Sequence, residues 1–310
     1  MKKAYFYIDD TIWVLRDITR QKPDSIFDNA FMKMLKEAND KYGVKFQLNL
    51  FYRTDCFYGY DEFSLADVTD AYKDEFKANS HWLKFAFHAM QEFPDYPHIN
   101  ATYGDTKSLF EMIEREVFRF AGKDSFAYSV CPHWIPVSKE GVRALADCGV
   151  KLLDCSAGDS REYDPQNDNL PYGHSFRLLN NKQPEAKVFT YPGASKDNIC
   201  GYNVLSTEVD NRIHKTLETF HNDEFNIEFK KFSCICLNVV DYKDLDNRLS
   251  QLVGDEYVGV IDHEQYFYPD YFAYQSDYAD KIFKTAKTLF DNGYEFICGE
   301  DILKFNKKEN

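Results

Sequence analysis

The chain has 310 residues, and its 37 basic and 51 acidic side chains leave a formal net charge of −14. This charge argues against nucleic acid and against an anionic membrane surface as partners, because both would repel the protein at long range. Aromatic residues make up 17% of the chain, and so much apolar area excludes a disordered protein.

Short apolar runs alternate with amphipathic stretches from one end of the chain to the other. In chain order, the predicted strands are 4–8, 44–51, 83–87, 126–131, 150–155, 232–240, 257–261 and 294–298. Apolar residues at helical spacing predict helices at 26–42, 65–76, 106–120, 137–148, 245–253 and 274–291. Because strands and helices alternate, the pattern predicts an α/β fold with a largely parallel sheet.

We expect this sheet to form a distorted (β/α) barrel of seven or eight largely parallel strands, with a doubly wound open sheet as the alternative. Residues 156–228 break the alternation, since they are polar and rich in Asn, Asp, Pro and Gly. No linker separates two halves of the chain. The sequence therefore predicts one domain, 1–310, with a loop-rich insertion at about 156–228.

Two features bear on the compartment. Charged residues interrupt the first apolar stretch, and no uncharged run reaches the ~18 residues of a membrane span, so the chain as given is expected to be cytoplasmic. Several of the eight cysteines lie in apolar strand-like runs. This placement predicts buried structural thiols, because the spacing fits neither a disulfide framework nor a zinc motif.

Polar side chains follow the predicted strands, where a barrel of parallel strands places its chemistry. They are Asp9 and Asp10, Arg53 and Asp55, His88 and Glu92, His133 and Trp134, Asp154, Asn238 and Asp241, and His263 and Glu264. Each residue alone fits a cap or a solvated loop. Three histidines and an acidic pair at strand ends together favour a functional site.

The adjacent carboxylates of Asp9 and Asp10 repel each other unless a cation or a proton separates their roles. One could bind a metal ion while the other acts as a general base; a helix cap is the alternative. His88 and Glu92 lie four residues apart and would share one face of a helical arc. Their nitrogen and oxygen ligands suit zinc, or else cobalt, nickel or iron, better than calcium, although a structural histidine would fit as well.

The strand at 257–261 leads to His263, whose imidazole could act as a general acid while the neighbouring Glu264 holds its tautomer. Tyr266 follows in an aromatic run, and His133 and Trp134 lie in a proline-flanked turn. We expect Glu264, Tyr266, His133 and Trp134 to contact substrate, with core packing as the alternative for the aromatic rings.

These motifs resemble those of the polysaccharide deacetylases, carbohydrate esterase family 4, which are metal-dependent deacetylases on a distorted (β/α) barrel. Residues 7–10 resemble the first family motif, which implies Asp9 as catalytic base and Asp10 as metal ligand. His88 matches the first histidine of the second motif, and Glu92 stands where the family has another histidine. Residues 261–263 resemble the last motif, which implies His263 as general acid.

A further family motif, Arg-Pro-Pro-Tyr before a helix that ends at a glycine, has its counterpart at residues 131–134 and Gly149, with Cys131 in place of the arginine. The two altered motifs are typical of a divergent subgroup. The resemblance covers most of the chain but not the insertion at 156–228. It implies a hydrolase of carbohydrate metabolism that uses a divalent metal, zinc first, to remove an acetyl group, primarily N-acetyl, from a sugar.

Two other functions stay open at this point. A glycoside hydrolase on a similar barrel would use two of Asp9, Asp55, Glu92 and Glu264 as acid and base, without a metal. A carbohydrate-binding pseudoenzyme would have kept the pocket and lost competent metal ligation.

Overall fold

The structure is a computed structural model that describes residues 2–54, 62–93, 97–98, 100–135, 137–154, 205, 209, 212–213, 218–231 and 233–305, with the backbone alone at 163–164 and 167–171. Its strands are β1 (Lys3–Thr11), β2 (Phe46–Phe51), β3 (Leu83–Ala89), β4 (Ser129–Val130), β5 (Leu152–Asp154), β6 (Tyr163–Asp164), β7 (Asn167–Pro171), β8 (Thr219–Asn222), β9 (Ile227–Lys230), β10 (Ser233–Cys236), β11 (Tyr257–His263) and β12 (Glu295–Ile297). Its helices are α1 (Trp13–Gln21), α2 (Ala30–Tyr42), α3 (Lys73–Ala78), α4 (Tyr103–Phe120), α5 (Lys139–Asp147), α6 (Leu245–Leu252), α7 (Tyr278–Asp291) and α8 (Ile302–Phe305).

The main sheet is parallel, with the strand order β10-β11-β1-β2-β3 and with β12 beside the first residues of β1. A second sheet has the order β4-β5-β9-β8, in which only β8 runs antiparallel to its neighbour. One parallel bridge between Phe85 and Phe126 connects the two sheets. The predicted α/β fold with largely parallel strands is therefore confirmed; in the described part of the chain, no strand ladder closes the ring between β10 and the second sheet.

Central β1 is buried along its whole length, as expected for a parallel strand covered on both faces. Helix α2 shows how the covering layer forms. It begins after Asn29, whose side-chain oxygen accepts the N–H groups of Phe31 and Met32, and ends at Gly43, where φ is 72°. Its buried face packs beside α7. Because such helices cover the faces of the sheet, polar side chains can meet at the edge formed by the carboxyl ends of the strands.

Several regions differ from the sequence-based expectation or lie beyond it. The predicted helix at 65–76 is a single turn at Leu65–Asp67 followed by α3 from Lys73. Helix α1 was not predicted: no polar cap precedes Trp13, and the preceding residue, Ile12, makes no side-chain cap. Most of the predicted insertion at 156–228 lies outside the described residues. At its end, β8 and β9 form an antiparallel hairpin where the sequence suggested a loop, and β9 extends the second sheet.

One apolar cluster extends through both sheets and their helices. The five cysteines that the structure describes have free thiols, and Cys131 is buried, in line with structural thiols. None of the described helices has the length and apolar character needed to cross a bilayer.

Candidate metal centre

A β-bulge places Asp10 at the edge of the sheet. Between Ile8 and Thr11, β1 contains one residue more than its partner β2. Asp10 has a φ of 60°, a left-handed conformation that is uncommon outside glycine. Because a bulge interrupts the alternation of side chains, both carboxylates face one imidazole: Asp9 Oδ1 lies 3.9 Å from His88 Nδ1, and Asp10 Oδ1 lies 3.1 Å from His88 Nε2.

His88 lies at a second bulge, on β3. Leu50 pairs with Phe87 and Phe51 pairs with Ala89, so His88 is the extra residue between two register positions. Bulges often redirect a side chain beside an active site. Here two neighbouring irregularities bring Asp10 and His88 together.

His133 comes from the turn that follows β4. The next two residues, Trp134 and Ile135, have φ values of 62° and 74°. A β-branched residue such as Ile135 rarely adopts this conformation. The turn holds the buried His133 ring edge-on to Phe51, with 5.0 Å between the ring centroids.

Asp10, His88 and His133 form a compact triangle of ligand atoms. Asp10 Oδ1 lies 3.1 Å from His88 Nε2 and 3.3 Å from His133 Nδ1, and the two nitrogens are 3.1 Å apart. Metal–ligand bonds of about 2.0–2.1 Å imply ligand separations of about 3.0 Å in an octahedron and about 3.3–3.4 Å in a tetrahedron. The triangle therefore has the size of one face around a small divalent cation, and the donor set fits such an ion.

The other nitrogen of each ring is directed to a backbone carbonyl. His88 Nδ1 donates to the Cys131 oxygen at 2.6 Å, and His133 Nε2 donates to the Glu92 oxygen at 3.0 Å. These bonds fix the tautomers, so the nitrogens that face Asp10 carry lone pairs. Two lone pairs and a carboxylate at such short distances repel one another unless a cation or a proton lies between them.

In the metal-free protein, a proton separates these three groups. Burial alone would raise the pKa of Asp10, but the charges and hydrogen bonds of His133 and His88 hold it well below its usual range. Burial would lower the pKa of His133, whereas Asp10 raises it to about 9. Burial also lowers the pKa of His98 to about 3, so its ring is neutral and donates to the His88 carbonyl at 2.8 Å. A divalent ion would replace the proton on His133.

Glu92, predicted as the third ligand, has its carboxylate outside the triangle. Its Oε2 accepts from Gln265 Nε2 at 3.1 Å, and its carbonyl oxygen supports His133 from behind. The structure instead brings His133, predicted to contact substrate, to Asp10 and His88. The proline-flanked turn at 131–134 was the available signal, but spacing along the chain cannot show which strand ends meet.

Asp9, predicted as the catalytic base, lies beside the triangle and is buried. Its Oδ1 accepts from Asn49 Nδ2 at 2.6 Å, and its Oδ2 lies 3.9 Å from the Cys131 sulfur. Burial raises the pKa of Asp9, partly offset by the nearby His88. A carboxylate in this state has an increased affinity for a proton.

His263, predicted as the general acid, is the register partner of Asp9 on the neighbouring strand. Its Nδ1 donates to Asn238 Oδ1 at 3.0 Å. The ring is only partly buried, and it lies beside Tyr266 with 6.1 Å between the centroids. The predicted base and acid therefore emerge from adjacent strands at the same edge.

Glu264 makes contacts of another kind. Its carboxylate is fully buried and accepts three backbone N–H groups at the start of α1, from Ile12, Trp13 and Val14, at 2.6–2.8 Å. Burial raises the pKa of Glu264 to about 7, against the opposing effect of these bonds. The predicted substrate contact is thus engaged as the cap of α1.

The two predicted aromatic contacts differ in exposure. Tyr266 is 4% exposed and packs edge-on against Tyr271, with centroids 5.2 Å apart. Trp134 is half-buried, with its ring 5.8 Å from that of His133. Of these two rings, only Trp134 combines exposure with contact to the triangle.

Comparison with known proteins finds similar folds and no family match. A scan against protein-family models finds no match, and neither does a search of curated proteins. Among solved structures, the 4-alpha-glucanotransferase from Thermococcus litoralis matches with a TM-score of 0.53 at 10% identity, over 98% of this chain and 40% of that one. The chain therefore spans well under half the length of that enzyme, and the likeness concerns the fold alone.

Two shorter proteins also match. A family 4 acetyl xylan esterase from Clostridium thermocellum, solved with a cobalt ion, has a TM-score of 0.43 at 10% identity, over 98% of this chain and 91% of that one. The Xyl-CE4 domain of a multidomain xylanase from the hindgut metagenome of Trinervitermes trinervoides has a TM-score of 0.44 at 9% identity, with the same two coverages. Family 4 domains, the family that the sequence motifs resemble, are therefore among the solved structures similar to this chain.

Proposed function

We propose that this protein is a metal-dependent hydrolase that removes an acetyl group, primarily an N-acetyl group, from a carbohydrate. The observation that carries the proposal is the triangle of Asp10, His88 and His133, with a buried carboxylate and an imidazole beside it. The resemblance of the sequence motifs to the polysaccharide deacetylases gives this arrangement its chemical interpretation.

Asp10, His88 and His133 would hold the ion; zinc is the first candidate, with cobalt, nickel or iron as the others. Three protein ligands are the number typical of a catalytic zinc site. When bound, a divalent metal polarises the acyl carbonyl and lowers the pKa of water, toward about 7 in favourable zinc sites. The backbone carbonyls behind the two histidines keep both rings in the ligating tautomer.

The remaining chemistry belongs to the flanking residues. Asp9 accepts the proton of the attacking water, since its burial favours the protonated form. His263 donates a proton to the departing amine or alkoxide, and Asn238 holds its ring through Nδ1. Trp134 supplies a half-buried aromatic face against which a sugar ring can stack.

The test measures metal content and acetyl release together. Wild-type protein is expected to bind one divalent ion per chain and to release acetate from N-acetylated sugar oligomers. Asp10→Ala and His88→Ala should each abolish both properties while the circular dichroism spectrum stays unchanged. Asp40→Ala, which removes an exposed carboxylate on α2, is the matched control and should retain both. Full activity of metal-free Asp10→Ala would overturn the mechanism.

The same experiment separates the rival functions. A glycosidase would cleave glycosidic bonds without a metal, through carboxyl groups ~5–9.5 Å apart. Of its four candidate carboxylates, Asp55 lies outside the described residues and Glu264 is engaged by α1. A pseudoenzyme would bind sugar in calorimetry and release no acetate. Metal-independent glycoside cleavage, or binding without turnover, would replace our proposal.

A further inference from the structure

A chain of side-chain hydrogen bonds leads through the protein interior to Asp9. Asn49 Nδ2 donates to Asp9 Oδ1 at 2.6 Å, and Gln47 Nε2 donates to Asn49 Oδ1 at 2.8 Å. At its far end, the Ser129 hydroxyl donates to Gln47 Oε1 at 2.7 Å. All four residues are buried, and none is more than 6% exposed.

Two amides are unusual in the middle of such a sheet. Gln47 and Asn49 lie two residues apart on β2, so their side chains share one face. Parallel strands covered on both faces are normally apolar, because a buried amide is costly unless all its groups are bonded. Packing alone would be served by apolar residues, whereas a fully bonded polar chain can fix one orientation of its last member.

The bonds determine which way each amide points. Gln47 Nε2 donates to the Ser129 carbonyl at 3.1 Å as well as to Asn49, and Gln47 Oε1 accepts from the Ser129 hydroxyl. Both donors and the acceptor of the Gln47 amide are therefore engaged. With the Gln47 donor facing it, Asn49 must turn its oxygen toward Gln47 and its NH₂ group toward Asp9.

The far end of the chain is packed closely. A Cβ atom at position 299 would lie 2.5 Å from the Ser129 oxygen, so Gly299 leaves the space that this hydroxyl occupies. The Ser129 donor is thus fixed between Gln47 and the backbone of residue 299. The orientation set there is passed along β2 to Asp9.

We propose that Asn49, oriented by Gln47 and Ser129, is a positioning residue that holds the Asp9 carboxylate beside the metal-ligand triangle. The inference rests on the proposed function for the role of Asp9. Asp9 Oδ1, the atom that Asn49 binds, is also the atom 3.9 Å from His88 Nδ1. Loss of the Asn49 bond would free the carboxylate to rotate away from the ligands.

The first test needs no substrate. In ¹⁵N-labelled protein, the side-chain NH₂ signals of Asn49 are assigned by their absence from Asn49→Leu. They should be protected from exchange with solvent, and Gln47→Met should reduce that protection at least tenfold. Ser129→Ala, which leaves β2 unchanged, should reduce it less and serves if Gln47→Met does not fold. Protection that is the same in both variants and in wild type would overturn the proposal.

The second test is kinetic. Asn49→Leu should lower kcat for acetyl release about 100-fold, the scale of a lost active-site hydrogen bond. Gln47→Met should lower kcat about 10-fold, as a partner one step removed. KM and metal affinity should stay unchanged in both. The control is Leu48→Ala, a change at an equally buried residue of β2 that lies between the two amides. Measured below the unfolding temperature of this variant, its kcat should stay within about twofold of the wild-type value.

The outcomes separate the two proposals. Unchanged kcat in both Asn49→Leu and Gln47→Met, or an increase in KM in place of the loss of kcat, would overturn the positioning role. If the wild-type protein binds metal but never releases acetate, the proposed function fails, and the exchange measurement alone decides whether the chain orients Asn49.

Discussion

Asp10 and Glu264 are carboxylates that lie at the ends of adjacent strands, β1 and β11, and both are buried. Asp10 meets two imidazole nitrogens, at a bulge with a left-handed backbone. Glu264 meets three backbone N–H groups that donate to it at the start of α1. Both acidic residues reach this edge because they lie at strand ends. Their hydrogen-bond partners make Asp10 a candidate metal ligand and Glu264 a structural cap.

The two carboxylates also differ in what they require. Glu264 already accepts three backbone N–H groups in the metal-free chain, so its role as the cap of α1 needs no ion. The triangle around Asp10 needs a cation or a proton between its three acceptors. Substitutions around Asp10 should therefore change metal binding, whereas substitutions at Glu264 should change the stability of the fold.

The largest expected effect concerns the third ligand. His133→Ala should weaken metal binding more than about 100-fold, because it removes a ligand rather than a supporting group. Glu92→Gln should change it no more than about threefold, since its carboxylate lies outside the triangle and its carbonyl is retained. Titration calorimetry with cobalt measures both. Equal losses in the two variants would restore Glu92 as a ligand and remove the distinction between His133 and its support.

Metal affinity should depend on pH. The pKa of His133 is raised to about 9 by Asp10, so its Nδ1 is protonated at neutral pH and a metal must displace that proton. Affinity is then expected to rise about tenfold per pH unit from pH 6 to 8, the slope for one released proton. Cobalt titrations at several pH values measure the slope, and Glu264→Gln should leave it unaltered. A flat profile would contradict proton displacement.

The smallest effect is expected at Glu264. Glu264→Gln replaces one accepting oxygen by a donor that faces backbone N–H groups, so unfolding free energy should fall by about 2 kcal/mol. Denaturant unfolding of the metal-free protein measures the loss. Metal affinity and KM should not change. A raised KM with unaltered stability would instead support the substrate contact that the sequence suggested.

Much of the fold is predictable because its signals are local. The alternation of apolar runs and helical spacing predicts the parallel α/β sheet, and strand ends predict where Asp10, His88 and His263 lie. Helix α1 is not predicted from the sequence because its cap comes from Glu264, 250 residues away in the chain. Long-range caps of this kind leave no trace in the sequence near the helix.

The grouping of the candidate ligands was harder to predict for a different reason. Two bulges turn Asp10 and His88 toward the site, and a strained turn brings in His133. In a regular strand, neighbouring side chains point to opposite faces, and the bulges that change this are not visible in the sequence. The sequence pattern therefore favoured Glu92, which lies four residues after His88 and would share its face of a helical arc. Asn49 lay unnoticed inside a predicted strand, because a buried polar partner is recognised only once its neighbour is known.

The left-handed residue Ile135 has a consequence for protein engineering. A non-glycine residue in this conformation costs on the order of 1–3 kcal/mol of folding free energy. Because the Ile135 side chain is buried in the apolar core, glycine at position 135 would relieve this strain but lose packing worth at least as much, so selection for heat resistance should leave the strained turn next to His133 in place.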